Sequence, residues 1–242
     1  MNRARTGAVT IARVRGVALR VHPALLALAL LDIFVAGRPA WWWGVMAGAV
    51  LLHEVGHALV ARGCGLRVSA IELHLLGGRT EMWGTTSEQN LAAVALAGPA
   101  ASALVGGALF GLGALLPGGA GEVTRFAAWL NLGWAAVNLL PFYPLDGGHV
   151  VRYLLAGALG PRDASAITLV SAALAAAVMM ALSWRAGLWV LVAVGVYLLL
   201  LVYREWVRQG LPSFGSAWRR DRAARRRARF HVVRGDSSAA GE

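Results

Sequence analysis

The 242-residue sequence contains no lysine; all 23 of its basic residues are arginine. It has one cysteine, Cys64, which excludes an intramolecular disulfide framework and leaves that residue as a small apolar packing group. Charge is scarce, at 14% of residues, whereas soluble domains carry about a quarter. Only 12 residues are acidic, so the formal net charge is +11 at pH 7. No internal repeat of 20–50 residues is visible, which excludes a solenoid or propeller. What is abundant is apolar: 58% of residues are hydrophobic and the mean hydropathy is +0.60. Apolar runs that approach 20 residues make this a polytopic membrane protein rather than a soluble enzyme. Arginine-only basicity with plentiful alanine and glycine is also the composition of a GC-rich bacterial coding sequence.

Hydropathy predicts six spans, over 21–37, 42–62, 89–116, 126–140, 164–183 and 187–203. No small-residue cleavage site follows the first, so it reads as an uncleaved span. Arginine placement orients the set. Twenty arginines fall in segments that this layout puts inside, and only Arg38, Arg125 and Arg185 fall outside, so both termini are expected in the cytoplasm of a cell-membrane protein. Between the second and third spans, RVSAIELHLLGGRTEMW (67–83) alternates apolar and polar residues around Gly77-Gly78, which predicts a β-hairpin with its turn at the glycines. It is the one strand signal recognised. The expected fold is therefore all-α and polytopic, with about six transmembrane helices, a small β-hairpin between helices 2 and 3, and a broken helix after helix 4. The expected domains are a basic cytoplasmic segment (1–20), a membrane domain (21–206) and a basic, mobile cytoplasmic tail (207–242). The tail's arginines read first as a topology anchor; such clusters can also bind anionic lipid or nucleic acid, although nucleic acid is not an expected partner.

Chemistry concentrates in LLHEVGHALV (51–60), inside the second span. His53 and His57 are four apart, so on a helix they share one face and both imidazoles can reach one zinc ion. Glu54 lies to the side of the pair, where a carboxylate can hold and deprotonate water without filling a ligand position. The pattern has a chance expectation of about 0.004 in this composition, and three ionisable groups in lipid are costly without a function. A catalytic zinc needs a third protein ligand. Asp146 and Asp32 are the carboxylates at membrane depth, and Asp146 is preferred. It lies in NLLPFYPLDGGHV (138–150), where Pro141, Pro144 and Gly147-Gly148 interrupt the helix. Irregular backbone at that depth belongs around a protein-lined or watery cavity. His149 is read as the start of the next helix, with a ligand or supporting role open. The small residues Gly98-Pro99, Gly44/Gly48 and Gly107/Gly111 read as helix-packing positions.

HEVGH in a span, LAGPAAS at 96–102 and NLLPFYPLDGG at 138–148, in this order and spacing, resemble the intramembrane metalloproteases of the site-2 protease family. The resemblance covers roughly residues 16–160 and is similar to the bacterial branch that includes the sporulation pro-sigma-factor processing protease. No PDZ insertion and no nucleotide-binding domain of the cystathionine-synthase type are expected. The aspartate motif reads Y-P-L-D-G, a bacterial variant of the usual form. By position, the resemblance implies His53, His57 and Asp146 as ligands of one Zn²⁺ and Glu54 as catalytic base. It also implies that Asn138 contacts substrate or the developing oxyanion, although a hydrogen bond bracing the broken helix would equally employ it. The implied reaction is zinc-dependent endoproteolysis in or near the transmembrane segment of a membrane-anchored substrate, in regulated signalling. An anti-sigma factor or membrane-tethered transcription regulator is the implied cargo, and the lipid bilayer the surroundings. Two other readings remain: a zinc-binding membrane transporter, and an inactive membrane scaffold.

Overall fold

A computed structural model describes residues 7–75 and 77–211; the basic tail expected over 207–242 lies outside the described residues beyond 211. The chain opens with a β-hairpin, β1 (Val9–Val14) and β2 (Val17–Val21). Its two-residue turn, Arg15-Gly16, has φ of 48° and 83°, the both-positive pattern of a type I′ turn that suits the twist of flanking strands. This hairpin was not recognised in the sequence, where its arginines read as a flank to a membrane span.

Helix α1 (Pro23–Phe34) follows, with Pro at its first position and the His22 ring accepting the Ala24 N–H at 3.2 Å. Helix α2 (Ala40–Gly63) then leads to β3 (Arg67–His74) and β4 (Gly77–Trp83). The strands make one sheet in the order β1-β2-β3-β4, with β2 parallel to β3 and both hairpins antiparallel. The expected turn at Gly77-Gly78 is displaced: His74 pairs with Gly77, so both glycines lie in β4. Val21, Val68, Ile71 and Leu73 of the sheet pack with Ala58 and Ala61 of α2, and with Leu66 and Val94, as the main hydrophobic cluster. On the same sheet, burial holds the His74 imidazole below its ordinary pKa against the opposing charge of Glu72.

The remaining helices are α3 (Glu88–Leu115), α4 (Gly118–Asn138), α5 (Asp146–Leu159), α6 (Pro161–Arg185) and α7 (Trp189–Arg208). Among the described residues four helices, α2, α3, α6 and α7, are long and apolar enough to cross a membrane, which makes this a multi-pass membrane protein. The helices bury few large side chains and leave many leucines, valines and tryptophans on their surfaces, as a lipid-facing bundle does. Of the six expected spans, four coincide with these helices; the other two fall on α1 and α4, which are too short or too little apolar to be counted with them. Helices α2 and α3 approach closely at Gly56, where a Cβ would lie 2.5 Å from Ala97 O. The expected packing pairs Gly44/Gly48 and Gly107/Gly111 instead have open space where a Cβ would stand.

Residues 7–202 belong to one compact unit, and Tyr203–Leu211 to a second. In the second, Glu205 accepts hydrogen bonds from Arg208 and Gln209 at 2.6–2.8 Å.

Candidate metal centre

His53, Glu54 and His57 occupy the buried face of α2, at 3%, 6% and 7% exposure. Helical spacing brings the two imidazoles together edge to face, with their Nε2 atoms 3.2 Å apart. Asp146, in the first turn of α5, brings Oδ2 to 2.9 Å from His53 Nε2 and 3.3 Å from His57 Nε2. Three ligand-type atoms from three positions therefore converge on one point. Asp32, the competing carboxylate, is engaged elsewhere: it pairs with Arg38 at 2.9 Å and accepts from Trp43 Nε1 at 3.0 Å.

Supporting groups fix the imidazoles. His57 Nδ1 lies 2.7 Å from Val94 O. A carbonyl only accepts, so Nδ1 carries the proton and Nε2 of the neutral ring keeps its lone pair for a metal. His53 Nδ1 meets the hydroxyl of Ser102, which is fully buried, at 3.1 Å. Val94 and Ser102 both belong to α3, and between them stands Gly98. A Cβ on Gly98 would collide with His57 Nε2 and come within 2.8 Å of His53 Nε2. Gly98 therefore does more than permit helix packing: it clears the wall beside both metal-facing nitrogens. Asp146 is set by a similar closeness. Segment 139–145, which contains a cis Tyr143–Pro144 bond, folds against Gly147 and Gly148, where any Cβ would strike the backbone of residues 139–143.

Glu54 is within 4.8 Å of the histidine nitrogens, so it could in principle complete a ligand set with them. Its other contacts assign it differently. Thr80 Oγ1, on β4, donates between Glu54 Oε2 at 2.8 Å and Glu54 backbone O at 3.1 Å. Gly78, two residues earlier, faces the Glu54 side chain so closely that a Cβ there would displace the carboxylate. Asp146 makes the shorter contacts to both Nε2 atoms, and Glu54 is held beside the triad by the sheet. Trp134 of α4 closes another side, its ring 6.4 Å from that of His53. Asn138 ends α4 and spends one amide hydrogen on Trp134 O at 2.9 Å, the helix-bracing bond; its other amide hydrogen has no partner assigned by that bond. His149 lies one turn along α5 between Tyr143, at 5.5 Å, and Tyr153, at 6.2 Å. Thr80, Ser102 and Trp134 were not singled out in the sequence, because each reaches the histidine helix only through tertiary packing.

The sequence matches the profile of peptidase family M50 over residues 43–119 and 118–182. Rip3 of Mycobacterium tuberculosis, whose assigned name is that of a zinc metalloprotease, is 34% identical over 215 residues, 75% of this chain and 54% of Rip3. Zinc metalloprotease MJ0392 of Methanocaldococcus jannaschii is 24% identical over 159 residues, 63% of this chain and 47% of that protein. The chain thus spans about half the length of such relatives. Among solved structures, the site-2 protease from Methanocaldococcus jannaschii superposes with a TM-score of 0.67 at 21% identity, over 82% of this chain and 94% of that one, a likeness of fold. The two profile segments take in more than half of the sequence, including both histidines, Glu54 and Asp146, and on that footing the chain belongs to peptidase family M50.

Proposed function

We propose that the chain is an intramembrane zinc endopeptidase that hydrolyses a peptide bond in or beside the transmembrane segment of a membrane-anchored substrate. One observation carries this reading. Three ligand atoms lie 2.9–3.3 Å from one another, next to a glutamate that the triad does not need. Tetrahedral zinc with ligands at 2.0–2.1 Å places ligand atoms about 3.3 Å apart, so His53, His57 and Asp146 fit one ion and leave a fourth position open. The zinc metalloprotease names of the relatives support the same metal.

Zinc held there supplies Lewis acidity toward a scissile carbonyl and toward water. The rest is done by the chain. Thr80 holds Oε2 of Glu54, so Oε1 is the oxygen left to take a proton from the attacking water and hand it to the leaving amine. The second amide hydrogen of Asn138 is the proposed donor to the developing oxyanion. Strand β4 ends the sheet, and its unpaired edge runs past Glu54, so an unwound substrate segment could add to it as a further strand.

The proposed setting is the cell membrane with six crossings, water reaching the site from the sheet side, and both termini cytoplasmic. The catalytic domain would run from the first hairpin through α7, with the remaining basic ends as cytoplasmic flanks. Signalling through an anti-sigma factor or membrane-tethered regulator is the proposed use. Co-expression of single-span candidates with the wild type and with Glu54→Gln tests the reaction. Cleavage should fall about a hundredfold or more in the variant, with intact substrate accumulating. Equal cleavage by both proteins would rule the peptidase reading out.

A further inference from the structure

We propose that a cavity between the starts of α3 and α6 and the middle of α5 binds the phosphoethanolamine headgroup of a membrane lipid. The cavity has a volume of about 110 Å³ and is lined by Glu88 and Leu91 of α3, Arg152 and Tyr153 of α5, and Ser165 of α6, among others. Its depth is set by its walls. Helices α3 and α6 are two of the four that can cross a membrane, and both begin at this cavity. It therefore sits where spans pass from hydrocarbon into headgroups.

Its charge selects the ligand. Arg152 lies with its guanidinium 4.7 Å from the centre of the Tyr153 ring, and its Nε is buried with no hydrogen-bond partner among the described residues. Glu88 lines the same cavity, yet among the described residues the two form no ion pair with each other or with any other group. A cationic wall and an anionic wall held apart suit a zwitterion. The phosphate would meet Arg152 and Ser165 (4% exposed). The ammonium would meet Glu88. A choline headgroup offers Glu88 no N–H, a glycerol headgroup offers it no cation, and free phosphate leaves it facing an anion. The volume admits a headgroup and leaves the acyl chains outside, along the apolar surfaces of α3 and α6.

An occupied cavity would also brace the helix that carries Asp146. Tyr153 stacks on His149, which in turn packs on Tyr143 in the segment leading to Asp146. The headgroup site does not depend on the peptidase reading, and its test uses no cleavage.

The chain in phosphatidylcholine nanodiscs should unfold at a higher temperature when phosphatidylethanolamine is added, and phosphatidylglycerol should not replace it. Soluble O-phosphoethanolamine should bind the detergent-solubilised chain, whereas phosphocholine and inorganic phosphate should bind at least about tenfold more weakly. Arg152→Gln and Glu88→Gln should each cost about tenfold or more in O-phosphoethanolamine affinity. Equal stabilisation by phosphatidylglycerol, equal binding of inorganic phosphate, or unchanged affinity in both variants would overturn the assignment. The ligand comparison on the wild type decides it even if a variant fails to fold.

Discussion

At the scale of single residues, the site divides into what spacing announces and what only packing supplies. His53, Glu54 and His57 were legible because a four-residue step on a helix has one geometric meaning. Asp146 was legible because prolines and glycines at membrane depth have few other uses. Gly98 and Thr80 were not. A glycine beside a proline in an apolar helix reads as packing, and a threonine in a hairpin reads as a strand former. Their roles follow from contacts with α2, and each gives a test. Gly98→Ala puts a methyl against His57 Nε2, so zinc content measured on the purified protein should drop by at least about tenfold while helix content persists. Full zinc occupancy in that variant would mean that α3 yields where packing says it cannot. Thr80→Val removes the hydroxyl 2.8 Å from Glu54 Oε2 but touches none of the three ligands. A hydrogen bond to a charged group contributes about 1.5–3 kcal/mol, so kcat should fall about tenfold to a hundredfold with zinc content unchanged and with recovery in Thr80→Ser. A matching loss of zinc would place Thr80 in metal binding instead.

At the scale of elements, the two hairpins carry different lessons. The hairpin at 67–83 was legible from its alternation, but its glycines were misassigned. In β4, Gly78 stands where a Cβ would run into the Glu54 side chain and Gly77 has a φ of 130°, and close approach or a left-handed φ uses glycine as readily as a turn does. The hairpin at 9–21 was missed because Arg15-Gly16 lacks the asparagine or aspartate that usually marks a two-residue turn. Its strands are short, β1 is exposed along its length, and β2 is secured by parallel pairing with β3, a long-range contact that no local pattern records. The sheet's open β4 edge gives the element-scale prediction. An edge strand tolerates proline where its N–H points away from its partner. Single prolines at Arg79, Glu81 and Met82 should therefore include positions that keep the thermal unfolding midpoint and zinc content yet lose about tenfold or more in cleavage. If every proline variant that keeps its fold also keeps cleavage, substrate does not add to this edge.

At the scale of the whole molecule, hydropathy and connectivity weigh the same helices differently. By the length and composition of the helices α1 and α4 fall short: α1 has 12 residues, about 18 Å of helix, and α4 begins with glycines and carries Glu122 and Arg125. By connectivity both have a distance to cover. Helix α2, about 36 Å long, ends beside the sheet on which α1 begins, so α1 and residues 35–39 must climb nearly its full length. Helices α3 and α6 start at one shared cavity, so the chain must return from the far end of α3, and α4 lies antiparallel along it, with Gly113 near Gly121 and Gly106 near Ala128. The six spans read from the sequence include α1 and α4, whereas helix length and apolarity among the described residues select four. Labelling separates the two counts. In a Cys64→Ser background, single cysteines at Ala40, Gly119 and Arg185 should react with a membrane-impermeant maleimide in intact cells, and cysteines at Arg67 and Arg162 should react only after permeabilisation. A cysteine at Gly119 that behaved like the one at Arg162 would leave α4 on one side of the bilayer. The path from α3 back to the Asp146 helix would then have to be found outside the membrane, and the proposed depth of the metal centre would go with it.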